Sequence, residues 1–173
     1  IRLGERMVGG VVFNGNGEIK DKLSIADFGS DEAKATIEVF GNHHAFLGLS
    51  DGGFQVVFLR EQDTNIIEPI FELANPSVGW SPRTATNSAS HSGDLVFTAN
   101  GEAGFRVFRA EERLRPNTKP GENWLTLIGF VPFDETLQDS GDYWSANHVE
   151  YREATLFVAV GLGGVTVYQL EQQ

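Results

Sequence analysis

Three segments of the chain repeat one arrangement of apolar and polar positions around a short turn that contains glycine. They are HAFLGLSDGGFQVVFL (44–59), DLVFTANGEAGFRVFRA (94–110) and TLFVAVGLGGVTVYQL (155–170). In each segment an apolar run leads into the turn, and large apolar residues then recur at alternate positions, as at Phe54, Val56 and Phe58. A period of two is typical of β-strands that bury one face. The pattern therefore predicts three β-hairpins.

The repeat continues on both sides of the hairpins. The upstream strands are expected in ATIEVFGN (35–42), ATNSASHSG (85–93) and SANHVEYRE (145–153), with Ala85 and Asn87 aligned on Ser145 and Asn147. The segments IIEPIFELA (66–74) and WLTLIGFVPF (124–133) follow the first two hairpins as fourth strands. Four strands in about 50 to 60 residues is the length of one β-propeller blade.

The predicted fold is all-β, a β-propeller segment of four-stranded antiparallel blades, with about three blades' worth of strands over residues 1–173. Residues 1–34 contain a third strand (8–14) and a fourth strand (21–29), which end one blade. Complete blades are predicted over 35–75 and 84–133. Residues 143–170 form a blade that lacks its outer strand.

The segments SANHVEY, TLFVAVG and GGVTVYQL resemble the LVIVD-repeat β-propellers. Units of that family run Ala-x-x-Val, a YVA-like strand, a glycine turn and a Gly-Leu-x-Val-x-Asp-like strand. The resemblance covers roughly residues 35–170 and departs where the third strand ends, since 58–60, 108–110 and 168–170 lack the Asp. It implies a non-catalytic scaffold for a protein or carbohydrate ligand, in a bacterial secreted, periplasmic or cell-surface protein.

Three blades are too few for a ring, because propellers close with roughly 4 to 8. The remaining blades belong either to a longer polypeptide or to identical subunits, two of which would complete a six-bladed ring. The surplus third strand at 8–14 favours the longer polypeptide.

Composition agrees with strands and turns, since the chain has 20 Gly and 13 Phe but a single Met. The net charge of -11 argues against nucleic acid as a partner, because a polyanion binder needs a basic face. No segment approaches the roughly 18 to 20 apolar residues of a membrane helix, so no membrane insertion is expected. Cysteine is absent, which excludes disulfides and thiolate sites from this sequence.

Two glycine-rich motifs have an alternative reading as ligand loops. The GLGG of 161–164 follows an apolar run, but the next residues are VTVYQLE, a strand pattern, where a dinucleotide site needs a helix. The motif NGNGEIKD (14–21) would place Val12 and Leu23 at calcium-ligand positions, and neither has a carboxylate. Both motifs are therefore predicted to be turns.

The loops that lead into the second and third blades carry the candidate ligand-binding residues. They are Trp80, Asn87, Tyr143, Trp144 and Asn147. Aromatic planes beside amides suit a carbohydrate or peptide ligand. The alternative, which we favour, is that each Trp caps the core between blades and each Asn holds its loop by hydrogen bonds to the backbone.

Carboxylates and histidines are the remaining candidates for chemistry. Asp134, Asp139 and Asp142 have oxygen ligands suited to calcium, although acidic loops are more often only solvated, and no other cofactor is expected. His148 and Glu150 lie two apart on a predicted inner strand, as an acid and base pair in a channel hydrolase or lyase would. The preferred interpretation of His148 is a hydrogen-bonded core histidine. His43, His44 and His91 are expected in turns between first and second strands.

Overall fold

The structure is a computed structural model, which describes residues 11–13, 19–22, 36–40, 44–59, 67–79, 81, 83–110, 125–134, 136 and 144–170. Nearly all of these residues are in strands or tight turns, so the predicted all-β class is confirmed. The strands are β1 (Val11–Phe13), β2 (Ile19–Lys22), β3 (Thr36–Phe40), β4 (His44–Gly48), β5 (Phe54–Leu59), β6 (Ile67–Leu73), β7 (Ser88–Ser92), β8 (Leu95–Ala99), β9 (Phe105–Ala110), β10 (Leu125–Val131), β11 (Trp144–Arg152), β12 (Thr155–Gly161) and β13 (Val165–Gln169). No helix among the described residues is long and apolar enough to cross a membrane.

The strands form antiparallel meanders in which every strand pairs with its neighbour in sequence. The first sheet has the order β3-β4-β5-β6, the second sheet β7-β8-β9-β10 and the third sheet β11-β12-β13. A separate two-stranded sheet pairs β1 with β2. No sheet in the described part of the chain closes on itself.

The three larger sheets stack in chain order, with one apolar core between each consecutive pair. The core between the first and second sheets contains Phe46, Phe54, Val56, Ala89, Val96, Phe108, Ala110 and Leu125. The core between the second and third sheets contains Phe97, Ala99, Phe105, Val107, Phe133, Ala146, Val149, Leu156, Val158 and Val160. Each fully buried Phe or Val contributes about 1.5 to 3 kcal/mol of transfer free energy, so these two cores supply the main driving force for stacking.

Neighbouring sheets approach each other most closely at their first strands. The first strand of the second sheet, β7, contacts β3 on one side and β11 on the other. Two isolated bridges between sheets lie at the same end of the stack, Ser50 with Thr86 and Gly101 with Ala146. The first and second sheets are therefore joined in the same way as the second and third sheets.

The turns between second and third strands have the same conformation in all three sheets. Their first position has positive φ, at 53° in Ser50, 62° in Gly101 and 65° in Gly161. Their last position also has positive φ, at 84° in Gly53, 92° in Gly104 and 82° in Gly164. Leu49, Asn100 and Val160 each donate their amide to the carbonyl four residues on, at 2.7–2.8 Å. The GLGG motif is thus the turn of a β-hairpin, as predicted.

Ser50 is the one residue other than glycine at the first position of these turns, and its φ of 53° is unfavourable for a side chain. We expect Ser50→Gly to stabilise the protein by about 0.5 to 1 kcal/mol, because relief of strain exceeds the added entropy of the unfolded chain. Urea denaturation measures the change. Ser92→Gly, inside β7, is the control and should destabilise; a loss of stability in both variants would contradict the prediction.

Two of the three histidines predicted in turns lie elsewhere, and His43 lies outside the described residues. His44 begins β4 and pairs with Phe58, and His91 lies within β7 opposite Val96, so the prediction that they lie in turns is wrong. The turn after β7 consists only of residues 93 and 94, which leaves His91 inside the ladder. His91 Nδ1 is 3.1 Å from Glu38 Oε1, an ion pair or hydrogen bond between the first two sheets.

Candidate functional site

The candidate site is the end of the stack where the first strands of the three sheets meet. Two backbone hydrogen bonds of 2.9 Å each join Ser50 to Thr86 in both directions. The equivalent pair, of 3.1 and 2.8 Å, joins Gly101 to Ala146. Each pair connects the turn of one sheet to the beginning of the next sheet's first strand, so the backbone at this end is fixed.

The aligned asparagines Asn87 and Asn147 come together at this end. Asn87 Nδ2 donates to the Ala146 carbonyl at 2.9 Å and to Asn147 Oδ1 at 3.3 Å. The Asn87 carbonyl accepts a hydrogen bond of 2.9 Å from Thr36 Oγ1 of the first sheet. Asn87 is half-buried, and its hydrogen bonds connect all three sheets. This agrees with the interpretation that Asn87 holds its loop in place and does not bind a ligand.

Asn147 differs from Asn87 in exposure. Its Oδ1 also accepts a hydrogen bond of 3.0 Å from Ser145 Oγ, and its side chain is exposed. The Ser145 and Asn87 contacts fix the rotamer of the Asn147 amide at the surface. A fixed, exposed amide is a suitable group for recognising a polar ligand, because little side-chain entropy remains to be lost on binding.

Trp144 packs into the molecule. Its ring lies edge-on to Phe133, with 5.6 Å between ring centroids. A methyl group on Gly163 would come within 2.9 Å of Trp144 Cε2, so the glycine backbone lies directly against the indole. Trp144 is half-buried at the margin of the core between the second and third sheets, as the capping interpretation expects. Trp80 and Tyr143 lie outside the described residues.

His148 and Glu150 are both exposed and lie on the same face of β11. They pair with Ala159 and Phe157 of β12 respectively, on the face of the third sheet that points away from the second sheet. Within the described residues no hydrogen bond joins the two side chains. The arrangement places an acid and a base side by side but surrounds them with apolar neighbours. The expectation that His148 is a hydrogen-bonded core histidine is wrong, because its side chain is exposed.

Asp134 is exposed, and its Oδ1 accepts a hydrogen bond of 2.9 Å from the Thr136 amide. Asp139 and Asp142 lie outside the described residues. Across the part of the chain that the structure describes, no three His, Asp or Glu side chains are grouped as metal ligands.

A buried polar network that was not predicted from the sequence lies beneath the Ser50 and Thr86 bridge. Arg106 is only 6% exposed. Its Nε donates to Asn100 Oδ1 at 3.2 Å, and both Nη1 and Nη2 donate to the Ala74 carbonyl at 3.2 Å. Burial lowers the pKa of Arg106 to about 10, so the guanidinium stays charged at neutral pH.

The network continues from Arg106 to the bridge itself. Asn100 Nδ2 donates to Thr86 Oγ1 at 2.9 Å, and Thr86 Oγ1 donates to Asn75 Oδ1 at 2.8 Å. Asn75 Nδ2 then donates to the Ser50 carbonyl at 2.9 Å. The signal in the sequence is Asn100, a polar residue at the turn position that Leu49 and Val160 occupy in the other hairpins. These contacts position the sheets, and the Asn147 side chain remains exposed at this end.

No family model matches the chain, and neither the curated proteins nor the solved structures contain a significant match.

Proposed function

We propose that the chain forms consecutive blades of a β-propeller, similar to the LVIVD-repeat propellers, and serves as a non-catalytic scaffold. It binds a protein or carbohydrate ligand at the end of the stack that carries Asn147. The observation that carries the proposal is the repeated junction, in which Ser50 with Thr86 and Gly101 with Ala146 make equivalent bridges.

The repeated junction supports a propeller because equal steps between face-packed sheets generate a ring when their first strands converge. The contacts of β7 with β3 and β11 have this character. A curved stack with its first strands innermost is the geometry of propeller blades. The bacterial secreted, periplasmic or surface location remains what the family resemblance implies.

Rigidity supports a scaffold. Asn87 and Trp144 have structural contacts, and the hydrogen bonds from Ser145 and Asn87 fix Asn147 at the surface. A ligand that meets such a preorganised surface loses less free energy to the ordering of side chains. The face that carries His148 and Glu150 is the one that contacts the next sheet elsewhere in the stack, which favours a packing role over catalysis.

The proposal is tested with the 173-residue chain on a printed panel of oligosaccharides and on a displayed library of random peptides. For any molecule retained, we expect Asn147→Ala to weaken binding about tenfold, the effect of one lost hydrogen bond of roughly 1.4 kcal/mol. Thr126→Ala, exposed on β10, is the matched control and should bind normally.

Two outcomes would contradict the scaffold function. If Asn147→Ala left the affinity unchanged, the ligand would not be bound at this end of the stack. Turnover of a retained molecule that is lost in both His148→Ala and Glu150→Gln would favour a channel hydrolase or lyase instead.

A further inference from the structure

The turn between β8 and β9 begins with an asparagine followed by a glycine, Asn100–Gly101. This dipeptide is chemically reactive, because glycine has no side chain that keeps its backbone nitrogen away from the asparagine side chain. The sequence repeats it at Asn14–Gly15 and Asn16–Gly17, which lie outside the described residues. Asn100 is fully buried, so the structure defines what surrounds its reactive atoms.

The reaction open to this dipeptide is deamidation through a cyclic imide. The Gly101 nitrogen attacks the carbonyl carbon of the Asn100 side chain, and Nδ2 leaves as ammonia with the proton that the Gly101 nitrogen loses. Water then opens the imide at either of its two carbonyls. One opening gives aspartate, and the other gives isoaspartate, in which the main chain runs through the side-chain methylene. The net change exchanges an amide NH2 for a hydroxyl group, and only water is consumed.

Hydrogen bonds hold both nitrogen atoms of this reaction in the native fold. The Gly101 nitrogen donates to the Ala146 carbonyl of the third sheet at 3.1 Å, and the Ala146 nitrogen donates to the Gly101 carbonyl at 2.8 Å. Asn100 Nδ2 donates to Thr86 Oγ1 at 2.9 Å. Attack requires the Gly101 nitrogen to lose its proton and its planar geometry, so the bridge to Ala146 has to open first.

The contacts of Asn100 Oδ1 act in the opposite direction. This oxygen accepts hydrogen bonds from Thr98 Oγ1 at 2.9 Å and from Arg106 Nε at 3.2 Å. Such donors, one of them a cation, stabilise the negative charge that develops on a carbonyl oxygen under attack. Thr98 and Arg106 belong to the second sheet itself, so their hydrogen bonds do not depend on the third sheet. The side chain is thus polarised for attack, and the bridge to Ala146 holds the nucleophile back.

We propose that Asn100–Gly101 is a site of spontaneous deamidation that the docking of the third sheet on the second keeps closed. When the bridge between Gly101 and Ala146 opens, water reaches the site and the Gly101 nitrogen becomes free to attack. The proposal rests on a junction whose two sides are both described, and it does not require the ligand-binding role.

The two products differ in their fit to the native turn. In aspartate a carboxylate oxygen replaces Asn100 Oδ1 beside Arg106, and within the described part of the chain no other carboxylate pairs with that side chain. Isoaspartate lengthens the main chain by one carbon, in a turn where the Asn100 nitrogen donates to the Gly104 carbonyl at 2.7 Å. We therefore expect aspartate to be accepted by the fold and isoaspartate to prevent the third sheet from docking.

Peptide mass spectrometry after timed incubation in mildly alkaline buffer tests the protection in the 173-residue chain. We expect Asn100 to deamidate at least about a hundredfold more slowly in the native chain than in guanidinium chloride, because several buried hydrogen bonds must open first. Equal rates under the two conditions would overturn the proposal. A faster rate in the native chain would show that Thr98 and Arg106 promote the reaction while the bridge is closed, and would overturn it too.

Two matched valine variants test which junction gives the protection. Val149→Ala opens a cavity in the core between the second and third sheets, and Val56→Ala does the same between the first and second sheets. Both valines are fully buried, and urea denaturation measures the stability that each variant loses. We expect native deamidation at Asn100 to be about tenfold faster in Val149→Ala than in Val56→Ala. Equal rates in variants of equal stability would show that Asn100 reacts only after global unfolding, and would overturn the role of the third sheet.

Refolding tests the expected difference between the products. Chains partly deamidated in guanidinium chloride are refolded by dilution, and a protease then removes those that remain unfolded. We expect the resistant chains to contain aspartate at position 100 but no isoaspartate there, as shown by labelling with an isoaspartyl methyltransferase and peptide mapping. Asn100→Asp, made by mutation, is the control for the first product and should fold. Isoaspartate at position 100 in the resistant chains would contradict its exclusion from the native turn.

Discussion

Gly104→Ala should destabilise the protein far more than Gly164→Ala, although both glycines hold the same position in the same turn. Their φ values of 92° and 82° cost a side chain about 1 to 2 kcal/mol in either place. At Gly104, however, a methyl group would lie 2.1 Å from the Val131 carbonyl oxygen, whereas at Gly164 it would meet nothing within 4 Å. We expect a loss of about 3 to 5 kcal/mol for Gly104→Ala and about 1 to 2 for Gly164→Ala, measured by urea denaturation.

The expected difference between Gly104→Ala and Gly164→Ala arises from the fourth strand of the second sheet, β10. Val131 ends β10, which passes directly behind the turn of the second sheet, and Leu73 of β6 does the same in the first sheet. Gly53→Ala is therefore the second test variant, since its methyl group would lie 2.4 Å from the Leu73 carbonyl oxygen. It should behave like Gly104→Ala. Equal losses in Gly104→Ala and Gly164→Ala would show that backbone strain alone decides the stability of these turns.

The turns were predictable from the sequence because their chemistry is local. Gly53, Gly104 and Gly164 readily adopt positive φ, and the alternation of apolar and polar residues on either side of them determines which side chains share a face of the sheet. The alignment of Asn87 with Asn147 follows from the same repeat. Their contact does not, because the 3.3 Å between Asn87 Nδ2 and Asn147 Oδ1 depends on the step between two sheets.

The burial of Arg106 could not be predicted from the sequence. In FRVFRA (105–110) it alternates with apolar residues, a pattern that ordinarily places an arginine in solvent. Both faces of this strand are buried because sheets pack on either side, and the acceptor on the Ala74 carbonyl comes from the preceding sheet. Such burial is a property of the stacking and has no signature in the strand itself.

Arg106→Met should be among the most destabilising substitutions that leave the apolar cores intact. It removes three hydrogen bonds from a buried cation and leaves the Ala74 carbonyl and Asn100 Oδ1 with fewer donors. Hydrogen bonds to charged groups contribute about 1.5 to 3 kcal/mol each, but relief of the desolvation of the guanidinium offsets part of this. We expect a net loss of about 2 to 4 kcal/mol, measured by urea denaturation.

Two variants separate the network from the loss of one side chain. Arg109→Met, on the same strand, removes an exposed arginine 3.6 Å from Asp94 and should change stability by less than about 0.5 kcal/mol. Arg106→Met combined with Asn100→Leu removes a donor and its acceptor together, and should recover part of the loss because Leu49 already occupies the equivalent turn position.

The dependence of stability on alkaline pH is an independent test of how burial affects the Arg106 cation. Because burial lowers the pKa of Arg106 to about 10, the folded chain releases this proton at a lower pH than the unfolded chain does, so stability rises above about pH 10 relative to Arg106→Met. A wild-type advantage that shrinks above pH 10 would mean that the guanidinium is stabilised by its surroundings as a cation.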